Sequence, residues 1–255
     1  MFHLCIKENK MSPNYYEDDF NAPTDLFAAA AAADERAGFI AKTYGYLVVS
    51  ILAMVAIETV LFTVLGMDGA KSVSGLMTGG FAWLIVLGAF MFVQWIANAW
   101  AFNATSPALQ VAGLGLYTVA ASVILFPLLT LALLVDPSGK IIGSAGWATG
   151  GLFALMSLAV FITRKDFSFL GSLLWFGGFA AMGFILFSIL TGFDGGSIFL
   201  YLMIALACGY ILYDTSNVLH HYRIGQHAAA ALALLSALFL LFWYVLQLFM
   251  SSQRD

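Results

Sequence analysis

Seven apolar runs follow a polar N-terminal stretch, each close to the twenty residues a helix needs to cross a bilayer. They cover about 45–66, 81–101, 108–134, 144–162, 169–190, 197–219 and 228–250. Turn residues or charges separate them: Gly66-Met67-Asp68-Gly69, Asn103 to Pro107, Asp136-Pro137-Ser138-Gly139, Arg164-Lys165-Asp166, Phe193 to Gly196, and His220 to His227. The pattern predicts an all-α integral membrane protein with seven transmembrane helices. Pro127 falls inside the third run and is expected to kink it. Gly146, Gly150 and Ala154 recur at intervals of four, as do Ala205 and Gly209. Such small residues let backbones approach closely in lipid, so they are expected at helix contacts.

Residues 1–43 hold much of the charge and are expected to form a partly disordered tail, with 44–255 as one membrane domain. Within the tail, Asp25 could cap a short helix through Phe27, the alanines 28–33 and Phe39. No short apolar core with a cleavage site precedes the first run, so no signal peptide is expected. Met11 opens Met-Ser-Pro-Asn-Tyr-Tyr, whereas residues 1–10 carry neither periodicity nor caps. Met11 is therefore the expected natural start, and mass spectrometry of the endogenous N-terminus checks this.

Composition agrees with the spans. The chain is 62% hydrophobic and 9% charged, where a soluble domain carries about 25% charged residues. Lys and Arg are scattered and form no nucleic-acid footprint. Cys5 lies in the tail and Cys208 in a span, so no disulfide framework is expected. In the N-terminal tail and in the second, fourth and sixth loops stand Lys7, Lys10, Arg36, Lys42, Arg164, Lys165 and Arg223, against Lys71, Lys140 and Arg254 on the other side. Seven against three places the N-terminus in the cytoplasm and the C-terminus outside.

Few polar residues enter the spans: Glu58, Gln94, Asn98, Asp214, Ser236 and Gln247. An ionisable group at membrane depth is costly and marks a candidate site. Asp214 lies roughly 8 Å short of the end of the sixth span. Tyr210, Asp214, Asn217 and His221 fall at i, i+4, i+7 and i+11, one helical face. That stripe leads from a buried carboxyl to the membrane surface. It reads either as a pH-sensing or ion path, or as a structural Asp satisfied by Asn217 or by backbone donors. Glu58 lies deeper, roughly 20 Å along the first span, too far to pair with Asp214. It is a second candidate for an ion or proton path, and Asn98 is a third polar position.

Several chemistries are excluded. The last run has no lysine for a retinal Schiff base. No Gly-x-Ser-Gly marks a rhomboid-type nucleophile, and no His-Glu-x-x-His marks a zinc protease. Tyr213-Asp214 would need a second catalytic aspartate on the seventh helix to act as an aspartyl protease, and that helix has no acid.

Two blocks, Ile-Thr-Arg-Lys-Asp-Phe-Ser-Phe-Leu-Gly (162–171) and Tyr-Asp-Thr-Ser-Asn-Val-Leu-His (213–220), resemble the Bax inhibitor-1/YccA family, in particular its bacterial YccA branch. Thr43-Tyr44, the Asn-Ala-Thr-Ser-Pro turn at 103–107 and the ending Gln-Arg-Asp fit as well. The resemblance spans Thr43 to the C-terminus. It implies seven helices with the last one central, in a bacterial inner membrane. It also implies a non-enzymatic role: modulation of the membrane AAA protease FtsH, or a pH-sensitive calcium or cation leak gated by Asp214. No cofactor is implied, and calcium or a proton would be cargo. Asp214 matches the family's acid on the sixth helix. The family's second aspartate falls on Ala237, its nearby asparagine on Leu240, and its basic latch at about Phe102, so the acid pair and latch are not carried over.

The orientation is testable. Cysteine labelling from the outer face is expected to reach position 253 and spare position 165; the reverse pattern overturns the charge count.

Overall fold

The computed structural model describes residues 27–79, 81–103, 106–193 and 195–253. Seven helices form: α1 (Ala33–Thr78), α2 (Ala82–Ala101), α3 (Pro107–Val135), α4 (Lys140–Thr163), α5 (Leu170–Thr191), α6 (Gly196–His220) and α7 (His227–Ser251). All seven are long and apolar enough to cross a membrane. The seven expected runs each fall within one of them.

α7 is the centre of the bundle. It packs against α1, α2, α3, α4 and α6, and its residues from Ala228 to Leu235 are buried almost without interruption. A helix apolar on every side can be accommodated either by packed neighbours or by lipid, and here α7 has neighbours. One apolar cluster joins its first half to Phe39 and Leu47 of α1 and Tyr117 of α3. A second joins its later half to Ala145 of α4 and Ala207 and Ile211 of α6. α5 stands at the edge and touches α6 alone among the described helices. Leu174 of α5 sits over Gly209, Leu206 of α6 over Gly177, and Tyr213 over Gly171.

Two features depart from the pattern. The break at Gly66 is a kink: its φ of 63° and ψ of 177° interrupt α1, which then resumes to Thr78. The alanines 28–33 form no helix of their own. Phe27 to Ala31 make a turn, and α1 starts at Ala33, while Asp25 lies outside the described residues. Pro127 lies inside α3, which stays helical through it. α3 is started by Ser106, whose Oγ accepts from the Leu109 N–H at 3.3 Å, with Pro107 in the first turn.

The small residues divide into two kinds. Gly113 of α3 is in tight contact, since a Cβ there would lie 2.6 Å from the Ala97 carbonyl oxygen and 2.7 Å from the Ala101 nitrogen of α2. Gly146 and Gly150 of α4 have nothing within 4 Å of a Cβ. α4 and α1 do not meet across that stripe, so the expected contact there is replaced by open space.

Backbone atoms cannot move aside as a flexible side chain can. Gly113→Ala is therefore expected to destabilise the bundle by at least about 2 kcal/mol, read as detergent-solubilised unfolding. Gly115→Ala, on the open side of the same helix, is the control and should be neutral or slightly stabilising.

Candidate functional site at the basic end

One end of the bundle carries Arg36 and Lys42 of α1, Arg164 and Lys165 of the α4–α5 loop, and Arg223 of the α6–α7 loop. α4 ends there on Arg164, a non-glycine residue with φ of 50°, which swings the chain into Asp166. Hydrogen bonds then dock this loop on the end of α6. The Phe167 N–H donates to Ser216 Oγ at 2.9 Å, and Asp166 Oδ2 lies 3.1 Å from His221 Nε2. Asp166 Oδ1 also accepts the Ser168 N–H at 2.8 Å. The Ser168 N–H, and after it the Ser168 hydroxyl and His221, hold the Asp166 carboxyl below its ordinary range.

Asp214 sits six residues before the end of α6, about 9 Å from it along the axis. Its side chain is half-buried, and no hydrogen bond or ion pair reaches its carboxyl among the described residues. Outside the spans, Asp214 acts electrostatically on Tyr222. Burial first, then the nearby Asp214 carboxyl, push the Tyr222 phenol well above its ordinary range. The Tyr222 ring stacks on Phe102 at the end of α2, with centroids 6.0 Å apart. Its backbone carbonyl accepts the Ala28 N–H at 2.9 Å, and Arg223 lies over the Phe27 ring at 5.6 Å. The turn before α1 and the end of α2 thus cover the α6–α7 loop.

The other stripe residues are held separately from Asp214. Tyr210 donates from its hydroxyl to the Leu174 carbonyl of α5 at 2.9 Å. The Asn217 carbonyl closes α6 by accepting the His221 and Tyr222 N–H groups at 2.8 and 3.0 Å. His221 turns to Asp166. Ser236, a candidate partner for Asp214, donates instead to its own helix at Leu232. Asn98 donates to the Gln94 carbonyl at 2.9 Å, and α2 makes no contact with α6. Glu58 is remote from this end, buried in the middle of α1 with neither carboxylate oxygen bonded.

Asp166, Ser216, Thr215, Ser157 and Tyr44 complete this end; all but Ser157 fall in the segments that carry the family resemblance, but none was a candidate site residue. Ser157 and Thr215 hydroxyls lie 3.4 Å apart between α4 and α6. Tyr44 packs its ring 5.9 Å from Phe161 and 6.4 Å from Phe153, yet its hydroxyl closes no hydrogen bond. Asp166 could have been found as an acid placed like a cap after a basic pair; Ser216 and Thr215 stand in the block at 213–220, but nothing in their spacing names their partners. Among the described residues no three His, Cys, Asp or Glu converge as metal ligands. A solitary carboxyl at a membrane mouth can take up a proton or attract a passing cation.

These features define a seven-helix, multi-pass membrane protein with the last helix at its centre and an unpaired acid near one mouth. Residues 36–254 match the family model described as inhibitor of apoptosis-promoting Bax1, and the chain belongs to this Bax inhibitor-1 family. It is similar to Protein LIFEGUARD 3 of Arabidopsis thaliana, 29% identical over 86% of each chain. Protein LIFEGUARD 4 of the same plant is 28% identical over the same shares. An uncharacterized Pseudomonas aeruginosa protein, PA2604, is 29% identical over 48% of this chain and 55% of its own.

Ser216 is fully buried, and removing its hydroxyl orphans the Phe167 N–H. Ser216→Ala is expected to cost about 1–3 kcal/mol. Asp166→Asn should cost well under about 1 kcal/mol, because its pair with His221 is half-exposed. The depressed Asp166 pKa gives a sign. Its contribution is present above the ordinary carboxylate range and fades as pH falls through the lowered value. Thermal unfolding of parent and both variants between pH 7 and pH 3 measures all three.

Proposed function

We propose that this Bax inhibitor-1 family protein is a pH-sensitive leak for calcium or protons, with Asp214 at its gate and the basic end in the cytoplasm of a bacterial cell. The observation that carries this reading is the Asp214 carboxyl, half-buried without a hydrogen bond beneath the Tyr222 loop. A neutral carboxyl is cheap to keep at such a depth and leaves the mouth shut. An ionised one draws in water and a cation, which separates the packed groups above it. With Ala237 on α7 where a second acid would stand, the proton is held by one carboxyl and the response is a single shallow step.

Proteoliposomes loaded with a calcium or pH indicator test the gate. The parent should leak with a pH dependence that Asp214→Asn abolishes, since the amide keeps the shape and loses the charge. An unchanged pH profile in that variant makes Asp214 structural and removes the reading.

A second reading is a non-enzymatic modulator of a membrane AAA protease of the FtsH type. It is favoured by the turn at Phe27–Ala31, which is pinned to the α6–α7 loop and so launches the tail from the basic end. Co-purification of such a protease from native membranes, indifferent to Asp214→Asn, supports it; a clean pull-down removes it.

A further inference from the structure

Between α1 and α4 lies a cleft of about 780 Å³, floored by α3 and α7. Its polar groups are few. Glu58 is 7% exposed and Thr149 is 3% exposed, both line the space, and neither the two Glu58 oxygens nor Thr149 Oγ1 has a hydrogen-bond partner. An unpaired acid buried in hydrocarbon is among the costliest arrangements a membrane helix can carry. Here it sits on the buried side of α1 and faces a space large enough for a drug-sized molecule.

The chemistry of the lining is that of an acceptor. Thr59 and Thr63 also border the cleft, but each spends its hydroxyl proton on its own helix, donating to Val55 O and Thr59 O at 2.7 Å. What they turn to the cleft is lone pairs. The remaining walls are apolar, including Leu125 and Leu129 of α3 and Phe239 of α7. A guest with one strong donor group and an apolar body matches this set. Calcium does not, because it takes six or more oxygens and the lining supplies one carboxylate and a few hydroxyls. An anionic guest would find no cation in the lining to answer its charge and would exclude the ionised form of Glu58.

The route in is lateral. α1 and α4 share no backbone contact, and Gly146 and Gly150 leave open space on the α4 side. Towards the basic end the gap is closed by Tyr44 against Phe153 and Phe161. Towards the other end, Phe62 packs on Phe126 at 4.9 Å. Glu58 stands eight residues before the Gly66 kink, about 12 Å along the axis, so the opening lies at hydrocarbon depth.

We propose that this cleft binds a lipophilic amine, an apolar molecule with a protonated amino group that enters sideways from the bilayer. The ammonium pairs with the Glu58 carboxylate and donates to Thr149, so that acid and guest carry opposite charges that cancel inside the cleft. Its apolar body fills the space along α3 and α7. This site is separate from the Asp214 mouth and does not depend on the leak reading.

The test uses the full chain in phosphatidylcholine nanodiscs and three photoreactive twelve-carbon probes that differ only in headgroup: amine, alcohol and carboxylic acid. Labelled peptides are mapped by mass spectrometry against the mole fraction of probe in the disc. The amine should label α1, α4 and α7 saturably, at a mole fraction at least tenfold below that needed by the alcohol, with the acid weakest. Glu58→Gln should raise the amine's half-saturation at least tenfold and leave the alcohol's unchanged. Gly150→Phe should suppress labelling by all three, and Gly146→Phe serves where that variant does not fold. Equal labelling by amine and alcohol, preference for the acid, or an amine affinity indifferent to Glu58→Gln each overturns the proposal.

Discussion

Lipid gives helices no hydrophobic reason to associate, so a membrane bundle is held by close packing and by the few polar bonds it can afford. In this protein that packing converges on α7. It is apolar around its whole circumference and makes contact with five neighbours. α3 is the other extensively buried helix, and Gly113 lets it approach α2 at backbone distance. Helices α2 and α5, by contrast, turn most of their aromatic side chains outward. The order of burial therefore runs outward from the last helix of the chain.

That centre leaves the two ends of the bundle with different tasks. At the basic end three separate segments converge on the α6–α7 loop: the turn before α1, the end of α2 and the loop after α4. The contacts are short-range and specific, a buried Ser216 acceptor and a ring stack of Phe102 on Tyr222. The two sequence blocks that carry the family resemblance, 162–171 and 213–220, are the segments that bond to each other here. Phe102 stands where the resemblance expects a basic latch, and it closes the same loop by stacking instead of by charge. Asp214 is left below this lid with no hydrogen bond to its carboxyl among the described residues.

Glu58 expresses the opposite principle. A packed interior normally pairs every buried polar atom, because an orphaned one costs the full desolvation of the group. Glu58 and Thr149 are exceptions, and they are exceptions in the same cavity. The glycines at 146 and 150 have the spacing of a contact stripe, but no helix comes to meet them. The open space and the unanswered acid have one geometric cause, the separation of α1 from α4.

How much of this was legible in the residues follows from what each signal depends on. Span number, span position and the family are properties of hydropathy over twenty residues and of short motifs, so they could be read directly. Asp214 and Glu58 were visible as candidates because charge in an apolar run needs no neighbour to be conspicuous. Their surroundings were not visible. His221 shares a helical face with Asp214, yet it bonds to Asp166, 55 residues earlier, because a side chain at a helix end is free to choose a partner from another loop. Gly113 and Gly150 are the same residue in similar apolar context, and one is crushed against a backbone while the other faces empty space. Helical periodicity defines which side of a helix is small or polar; only the arrangement of the other helices decides what that side meets.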